Sequence, residues 1–387
     1  ATLKACSSIV SLRHGMMVHT DAIREGFELD PFVGTMLIGM YARCGCLKEA
    51  HKVFAIVPKG NDDVAFSAMM TAYKAHGNDV ESLEVFGLMQ NAGIEPNNIV
   101  PLVCAAKACS NLAAMNDGKL VHCIVTEKGA ESNIYAGSAL IDMYVKCGCI
   151  NEACNLFDRL PEKNEVTWSS MVSAFAEAND FGLALTYFEG MQKSGIKPNS
   201  VTFIAILSAC SRSGMFLKGL EHFNSMWGEQ SLVAPIGGHY NCLIDLLGRA
   251  GYVLEAEDLL HTMPFQPDVV GCMALLSHSK THGNIEVGRT CFHHYVKMDL
   301  QDASSFLLMT DIYSDCGMVA DAEMTEKWRK NACAFKKAGQ ASIWIDNKVH
   351  TFNVGGERGH QNEMDILAKL ANVSAQLKMK GHFPFLD

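Results

Sequence analysis

Two pairs of cysteines stand two residues apart, Cys44 with Cys46 and Cys147 with Cys149, each bracketing a glycine. Thiolates so placed can hold a soft metal. His293 and His294 are adjacent, and His278 and His282 lie one helical turn apart, a spacing that also suits metal ligands. No acid or thiol accompanies either histidine set in a ligand-like pattern. The cysteine pairs belong to a segment that recurs along the chain, so packing around a turn is their expected role. The chain contains no G-x-x-x-x-G-K-[ST] loop, and ATP binding is not indicated.

The elements that would position such residues come from a repeat. Leu140–Phe157 reads LIDMYVKCGCINEACNLF; Leu37–Phe54 and Leu243–Leu260 are variants of it, each displaced by 103 residues. A fixed period in a long chain is the signature of stacked structural repeats. Three segment types alternate, with one carrying ACS (Cys6, Cys109, Cys210) and another closing on GIEPN or GIKPN. The boundaries fall at 1–30, 31–62, 63–97, 98–133, 134–164, 165–199, 200–236 and 237–268, with weaker two-helix patterns at 269–302 and 303–337.

Within the repeat, Leu140, Ile141, Met143 and Tyr144 define one helical face, and Ile150, Ala153, Leu156 and Phe157 a second. Gly148 lies between them, at a helix C-terminus where glycine enters positive φ cheaply. Two short helices bury such faces only by stacking on neighbours. The spacing therefore predicts an all-α solenoid of helix-turn-helix repeats. After Gly339 the period changes to alternation around Asp346-Asn347-Lys348, a β-hairpin pattern. A terminal helix is expected near 362–380.

The formal charge of −10 argues against binding to nucleic acid or an anionic membrane through bulk electrostatics, although it says nothing of local stripes. The apolar stretches are well short of the roughly 18 residues that span a bilayer, so no membrane role is expected. Of the fifteen cysteines many recur at equivalent repeat positions, Cys44 with Cys147 and Cys6 with Cys109 and Cys210, and they read as small buried thiols of a reducing compartment. The opening ATLKACSSIV reads as the middle of a structured element, which fits a fragment or a processed chain.

The residues resemble pentatricopeptide repeat proteins, specifically the plant PLS subclass with a C-terminal E region. LIDMYVKCG at 140–148, VTWSSMV at Val166–Val172, HYNCLIDLLGRAG at His239–Gly251 and SIWIDNKVHTFNVGGERGH at Ser342–His360 carry the likeness. The implied organisation is a right-handed α-solenoid array over 1–268, an E region over 269–339 and an E+ or DYW-like start over 340–387. His360-Gln361 stands where the family usually has His-Pro.

The resemblance implies sequence-specific binding of single-stranded organellar RNA, in mitochondrion or chloroplast, with one base per repeat. The fifth residue of a repeat meets the base edge, and the last residue supports it. Carried over, Thr35 with Asp62 prefers G; Ser67 with Asn97, Ser138 with Asn164 and Ser169 with Asn199 prefer A; Asn241 with Asp268 prefers U. Val103 with Asn133 reads weakly, and Ile204 accepts any base. The implied element is 5′-GANAANU, ahead of an edited cytidine. Phe32, Val64, Tyr135, Val166 and Val201 would flank the bases. The competing reading of the small polar residues is that they cap helices.

A deaminase of this family needs His-x-Glu and Cys-x-x-Cys to hold its zinc. No histidine here is followed two residues on by Glu, and no two cysteines are three apart. No cofactor is expected, and the chain is read as non-enzymatic. Its implied partners are RNA, a DYW-type cytidine deaminase acting in trans or continuing the chain, and multiple organellar editing factors. The alternatives are a protein-binding helical scaffold and a factor for RNA processing or stability.

Overall fold

The computed structural model describes residues 3, 6, 8–57, 63–227, 233–334, 340–345 and 348–353. Asp62, the His360-Gln361 departure and the expected terminal helix lie outside the described residues. The chain divides into two compact units, residues 1–291 and 292–387, a division that does not coincide with residue 268.

The first unit is a succession of helical hairpins. After α1 (Leu12–Arg24) come α2 (Pro31–Arg43), α3 (Leu47–Ile56), α4 (Val64–Ala75), α5 (Asp79–Asn91), α6 (Val100–Leu112), α7 (Met115–Glu127) and α8 (Ile134–Lys146). The series continues with α9 (Ile150–Arg159), α10 (Glu165–Glu177), α11 (Phe181–Lys193), α12 (Ser200–Arg212), α13 (Phe216–Ser225), α14 (Gly237–Arg249), α15 (Val253–Thr262) and α16 (Val269–His282). Helix α17 (Ile285–Met298) runs across the division. From α2 onward the even-numbered helices pack on one another in order, and the odd-numbered helices flank them. This is an α-solenoid.

The repeated segment builds one hairpin each time. Gly45, Gly148 and Gly251 hold φ of 76°, 75° and 90°, which lets the chain reverse at the end of α2, α8 and α14. The next amide then reaches back five residues: Cys46 N to Tyr41 O is 3.0 Å or less, at 2.9 Å, and Cys149 N to Tyr144 O is 2.8 Å. These bonds satisfy carbonyls that the helix end leaves open. Leu37, Ile38 and Met40 in α2, and Leu140, Ile141 and Met143 in α8, are almost wholly buried.

Two devices tie neighbouring hairpins together. Histidines of odd-numbered helices meet tyrosines of the next even-numbered helix: His19 Nδ1 to Tyr41 Oη, His51 Nδ1 to Tyr73 Oη and His122 Nδ1 to Tyr144 Oη are each 2.8 Å. Helix-interior glycines allow close crossings. A Cβ on Gly118 would lie 2.5 Å from Met143 Sδ, and one on Gly219 would lie 2.4 Å from Leu246 Cδ2.

The cysteine pairs pack at the turns. Cys46 Sγ and Cys149 Sγ lie 3.8 Å from the carbonyls of Cys44 and Cys147, and Cys149 Sγ is 3.9 Å from Met115 Sδ. Burial pushes the Cys44 and Cys147 thiols up, away from the thiolate a metal needs. Among the described residues the cysteines are free thiols, and no three His, Cys, Asp or Glu side chains converge as metal ligands. No described helix is long and apolar enough to cross a membrane.

In the second unit, α18 (Ala303–Asp315) pairs with α19 (Val319–Asn331). Phe292, Phe306 and Trp328 cluster edge to face at 5.2–5.5 Å. Strands β1 (Gln340–Ile345) and β2 (Lys348–Asn353) form an antiparallel hairpin in which Ile345 pairs with Lys348.

Candidate nucleic-acid interface

Thr35, Ser67, Val103, Ser138, Ser169 and Asn241 sit near the start of α2, α4, α6, α8, α10 and α14 respectively. Because these helices stack in order, the six positions fall one per hairpin along one layer. Exposed apolar residues accompany them in the first turns: Phe32 is 76% exposed and Tyr135 67%, with Val64, Val166 and Val201 also open to solvent. Such apolar side chains left in water, beside Thr35, Ser67, Ser138, Ser169 and Ile204, are the surface a stacking ligand would cover.

The closing residues do cap helices. Asn133 Oδ1 accepts from Tyr135 N and Ala136 N at 3.0 and 3.2 Å. Asn164 Oδ1 accepts from Thr167 N at 2.9 Å, Asn199 Oδ1 from Thr202 N at 2.8 Å, and Asp268 Oδ1 from Gly271 N at 2.8 Å. Capping does not compete with pairing, because Asn164, Asn199 and Asp268 also reach the preceding hairpin. Ser138 Oγ is 3.3 Å from Asn164 Oδ1. Asn241 Nδ2 donates to both oxygens of Asp268, at 3.0 and 2.8 Å. Ser169 meets Asn199 through Thr202, whose Oγ1 lies 2.9 Å from Ser169 Oγ and 2.9 Å from Asn199 Oδ1. The cap fixes each closing residue, which in turn orients the fifth-position side chain of the previous hairpin.

The Ser67 site is arranged differently from the expected pair. Asn97 contributes its backbone N–H, which donates to Asp63 Oδ2 at 2.9 Å. The side chain that approaches Ser67 is Asn98: its Nδ2 is 3.5 Å from Ser67 Oγ and 2.9 Å from Asp63 Oδ2. Asn98 Oδ1 also accepts from Val100 N at 2.8 Å, just ahead of α6. The signal was present in the sequence, since Asn98 stands five residues before Val103, as Asn133 does before Ser138 and Asn164 before Ser169. Buried Asp63, which anchors this loop, had no such signal. The doublet Asn97-Asn98 hides a one-residue shift.

Thr35 donates its hydroxyl to Pro31 O at 2.9 Å; its expected partner Asp62 is outside the described residues. Val103 and Asn133 offer no side-chain bond to each other, consistent with an apolar fifth position. Ile204 is aimed at the next hairpin, where a Cβ on Gly238 would lie 3.1 Å from Ile204 Cδ1.

Farther along the same helices the charge changes. Arg43, Lys74, Lys146, Arg212 and Arg249 occupy the last turns of α2, α4, α8, α12 and α14. Cations there complement the helix dipole. They also make a basic row that the formal charge of −10 conceals. Asp142 and Asp245 temper it. Lys107 Nζ, Lys146 Nζ and Ser110 Oγ approach Asp142 Oδ2 at 2.9, 3.4 and 2.8 Å. Burial pushes the Asp142 carboxyl up, but Lys107, Ser110 and Lys146 outweigh it and hold it below the usual range. His278, Ser211 and Arg249 do the same for Asp245, with His278 Nε2 at 2.8 Å. His282 Nε2 meets Gly248 O at 2.9 Å, so the His278/His282 pair is engaged in packing contacts.

The fold and this row of sites define a helical-repeat protein in which most hairpins present one polar position. More particularly, residues 35–56, 64–94, 138–165, 201–230 and 238–265 match the PPR repeat, and residues 163–212 match the PPR repeat family. The chain thus carries pentatricopeptide repeats. It is similar along its length to pentatricopeptide repeat-containing proteins of Arabidopsis thaliana. Protein At3g26782, mitochondrial, is 32% identical over 99% of this chain and 58% of its own length. Protein At1g31920 is 32% identical over 99% of this chain and 63% of its own. A putative relative, At3g13770, also labelled mitochondrial, is 29% identical over 100% of this chain and 61% of its own. The chain spans about half the length of the curated relatives it matches. Among solved structures, the pentatricopeptide repeat protein PPR10 in complex with an 18-nt psaJ RNA element matches with a TM-score of 0.67. That match has 17% identity and covers 83% of this chain and 48% of PPR10, which establishes likeness of fold.

Proposed function

We propose that this chain is a sequence-specific reader of single-stranded RNA, taking one base per hairpin. The observation that carries the reading is the recurring hydrogen-bonded link between a fifth-position side chain and the cap of the next hairpin, direct at Ser138–Asn164 and Asn241–Asp268 and through Thr202 at Ser169–Asn199. A hydroxyl or amide fixed in this way can meet a Watson–Crick edge, and the neighbouring exposed apolar side chains can take the faces of the bases. The PPR10 complex supports RNA as the ligand class. The basic row in the last turns supports contact with a phosphate backbone.

The finer reading is a specificity factor for C-to-U editing of a plant organellar transcript, recognising about 5′-GANAANU. It would work with a DYW-type deaminase and multiple organellar editing factors, with residues 269–339 and 340–387 serving as the E and E+ regions. The mitochondrial labels of two relatives support an organellar setting. The test is selection from a randomised RNA pool with the chain and with Asn241→Ser. The chain should enrich U at the last position, and the variant, whose hydroxyl is then paired with Asp268 in the combination expected of Thr35 with Asp62, should enrich G there. An unchanged preference at that position overturns the assignment of register, and no enrichment at any position overturns RNA reading itself.

A further inference from the structure

The two Ser/Asn sites that share one expected base are not wired alike. At Ser138, the hydroxyl stands 3.3 Å from Asn164 Oδ1 with nothing between them, and Thr167 turns away to donate to Asn164 O at 2.8 Å. At Ser169, Thr202 lies between the partners. Its hydroxyl is within 2.9 Å of both Ser169 Oγ and Asn199 Oδ1, and it accepts from Asn199 N at 3.3 Å. Thr202 is fully buried. The Asn199 amide is held at its other end too, because Nδ2 donates to Glu165 Oε1 at 2.5 Å.

Thr167 and Thr202 occupy the same place, the third residue of the even-numbered helix that follows the reading side chain. Gly271 occupies that place after Asn241. Its missing Cβ is what admits the amide: a Cβ there would lie 2.7 Å from Asn241 Oδ1 and 3.3 Å from Leu260 Cδ1. The Asn241 oxygen is buried against this glycine with no hydrogen-bond partner among the described residues.

Resting on the RNA-reading proposal, we infer that the third residue of the following hairpin's first helix is a specificity-determining residue for the base read by the preceding hairpin. The physical basis is proton supply. A serine hydroxyl has one proton to give. Ser138 divides it between Ile134 O and Asn164 Oδ1, both acceptors. Ser169 likewise has a backbone acceptor, Glu165 O at 2.6 Å, but adds Thr202 as a further hydroxyl, which donates its own proton either to Ser169 Oγ or to Asn199 Oδ1. The second arrangement fixes both partners and penalises a base that demands the opposite pattern. At Asn241 the determinant acts by space, since only glycine leaves the amide where Asp268 can hold it.

The experiment measures binding of the whole chain to RNAs that differ only in the base at the Ser169 or the Ser138 position. The chain should discriminate adenine from guanine more sharply at Ser169. Thr202→Val should narrow that discrimination about 3- to 10-fold, the loss expected for one hydrogen bond, and leave the Ser138 base unchanged. Thr202→Ser should restore it. Gly271→Ala, which improves helix propensity, should relax the preference for uracil at the last position alone. Equal change at both adenine positions, or no change with Thr202→Val in a chain that still reads bases, overturns the inference. A wild-type chain without base preference at any position instead defeats the underlying RNA reading.

Discussion

A side chain already gripped by a neighbour presents only part of its hydrogen-bonding edge to a ligand, and this is the central point at the residue scale. Asn241 has its Nδ2 committed to Asp268, and Ser138 and Ser169 each share a hydroxyl with a backbone carbonyl one turn back. The site at Ser67 makes the sharpest single-residue prediction. Asn98→Ala should weaken adenine preference at that base by about 3- to 10-fold, whereas Asn97→Ala should leave it nearly unaltered, because only Asn98 extends its amide to Ser67. Binding titrations against RNAs varied at that position check it, and the reverse ranking refutes the assignment of Asn98. The polar types and their phase were legible from the sequence. The one-residue shift showed there only in the five-residue spacing from Asn98 to Val103, since Asn97 and Asn98 are chemically identical.

At the element scale, the hairpins could be read from the 103-residue period, the two apolar faces and the turn glycines, because each is a local property of the chain. The contacts between hairpins could not. The His–Tyr bonds join residues 22 apart, and the helix-interior glycines look like weak helix formers until the facing side chain is known. Gly248 illustrates this. A Cβ there would lie 2.3 Å from Cδ2, 2.5 Å from Cγ and 2.9 Å from Cβ of His278. The glycine lets α14 and α16 approach until His278 reaches Asp245. Alanine at this position gains roughly 1 kcal/mol of helix propensity, but His278 cannot yield at its own Cβ. Gly248→Ala should therefore be destabilising by about 1–2 kcal/mol net, the low end of overpacking after that offset. Urea unfolding measures it, and a variant more stable than the parent would show that the crossing relaxes.

At the scale of the whole molecule, two solution properties follow from the distribution of charge. The first is stability against pH. Burial lowers the imidazoles of His19, His222 and His239 below their ordinary value of 6.5. His239 gives the reason in atoms: its Nδ1 accepts from Ile236 N at 3.0 Å, while Nε2 donates to Ser200 O at 3.1 Å, so a second ring proton would break the first bond. A depressed histidine is neutral in both states above 6.5, and below it the unfolded chain takes up the proton first, so folding loses stability as pH falls. The urea midpoint should drop between pH 7 and pH 5. Asp142 and Asp245, held low, add their losses only below the ordinary carboxylate value of 3.8. A midpoint that is flat down to pH 5 contradicts the histidine account.

The second property is the salt dependence of RNA binding, where net charge and local charge make opposite forecasts. A formal charge of −10 spread evenly would repel RNA, and adding salt would then strengthen binding. Arg43, Lys74, Lys146, Arg212 and Arg249, one in the last turn of each of five stacked helices, place cations along a single layer. If each meets a phosphate, the logarithm of the binding constant should fall with the logarithm of salt at a slope of about −3.5, or about 100-fold between 50 and 200 mM. Arg43→Ala should reduce that slope by about 0.7 and weaken binding equally for every sequence, because a phosphate contact carries no base information. Asn241→Ser should do the converse, changing sequence preference without changing the slope. Affinity that rises with salt, or a change in base preference for Arg43→Ala, would place the RNA somewhere other than along this layer.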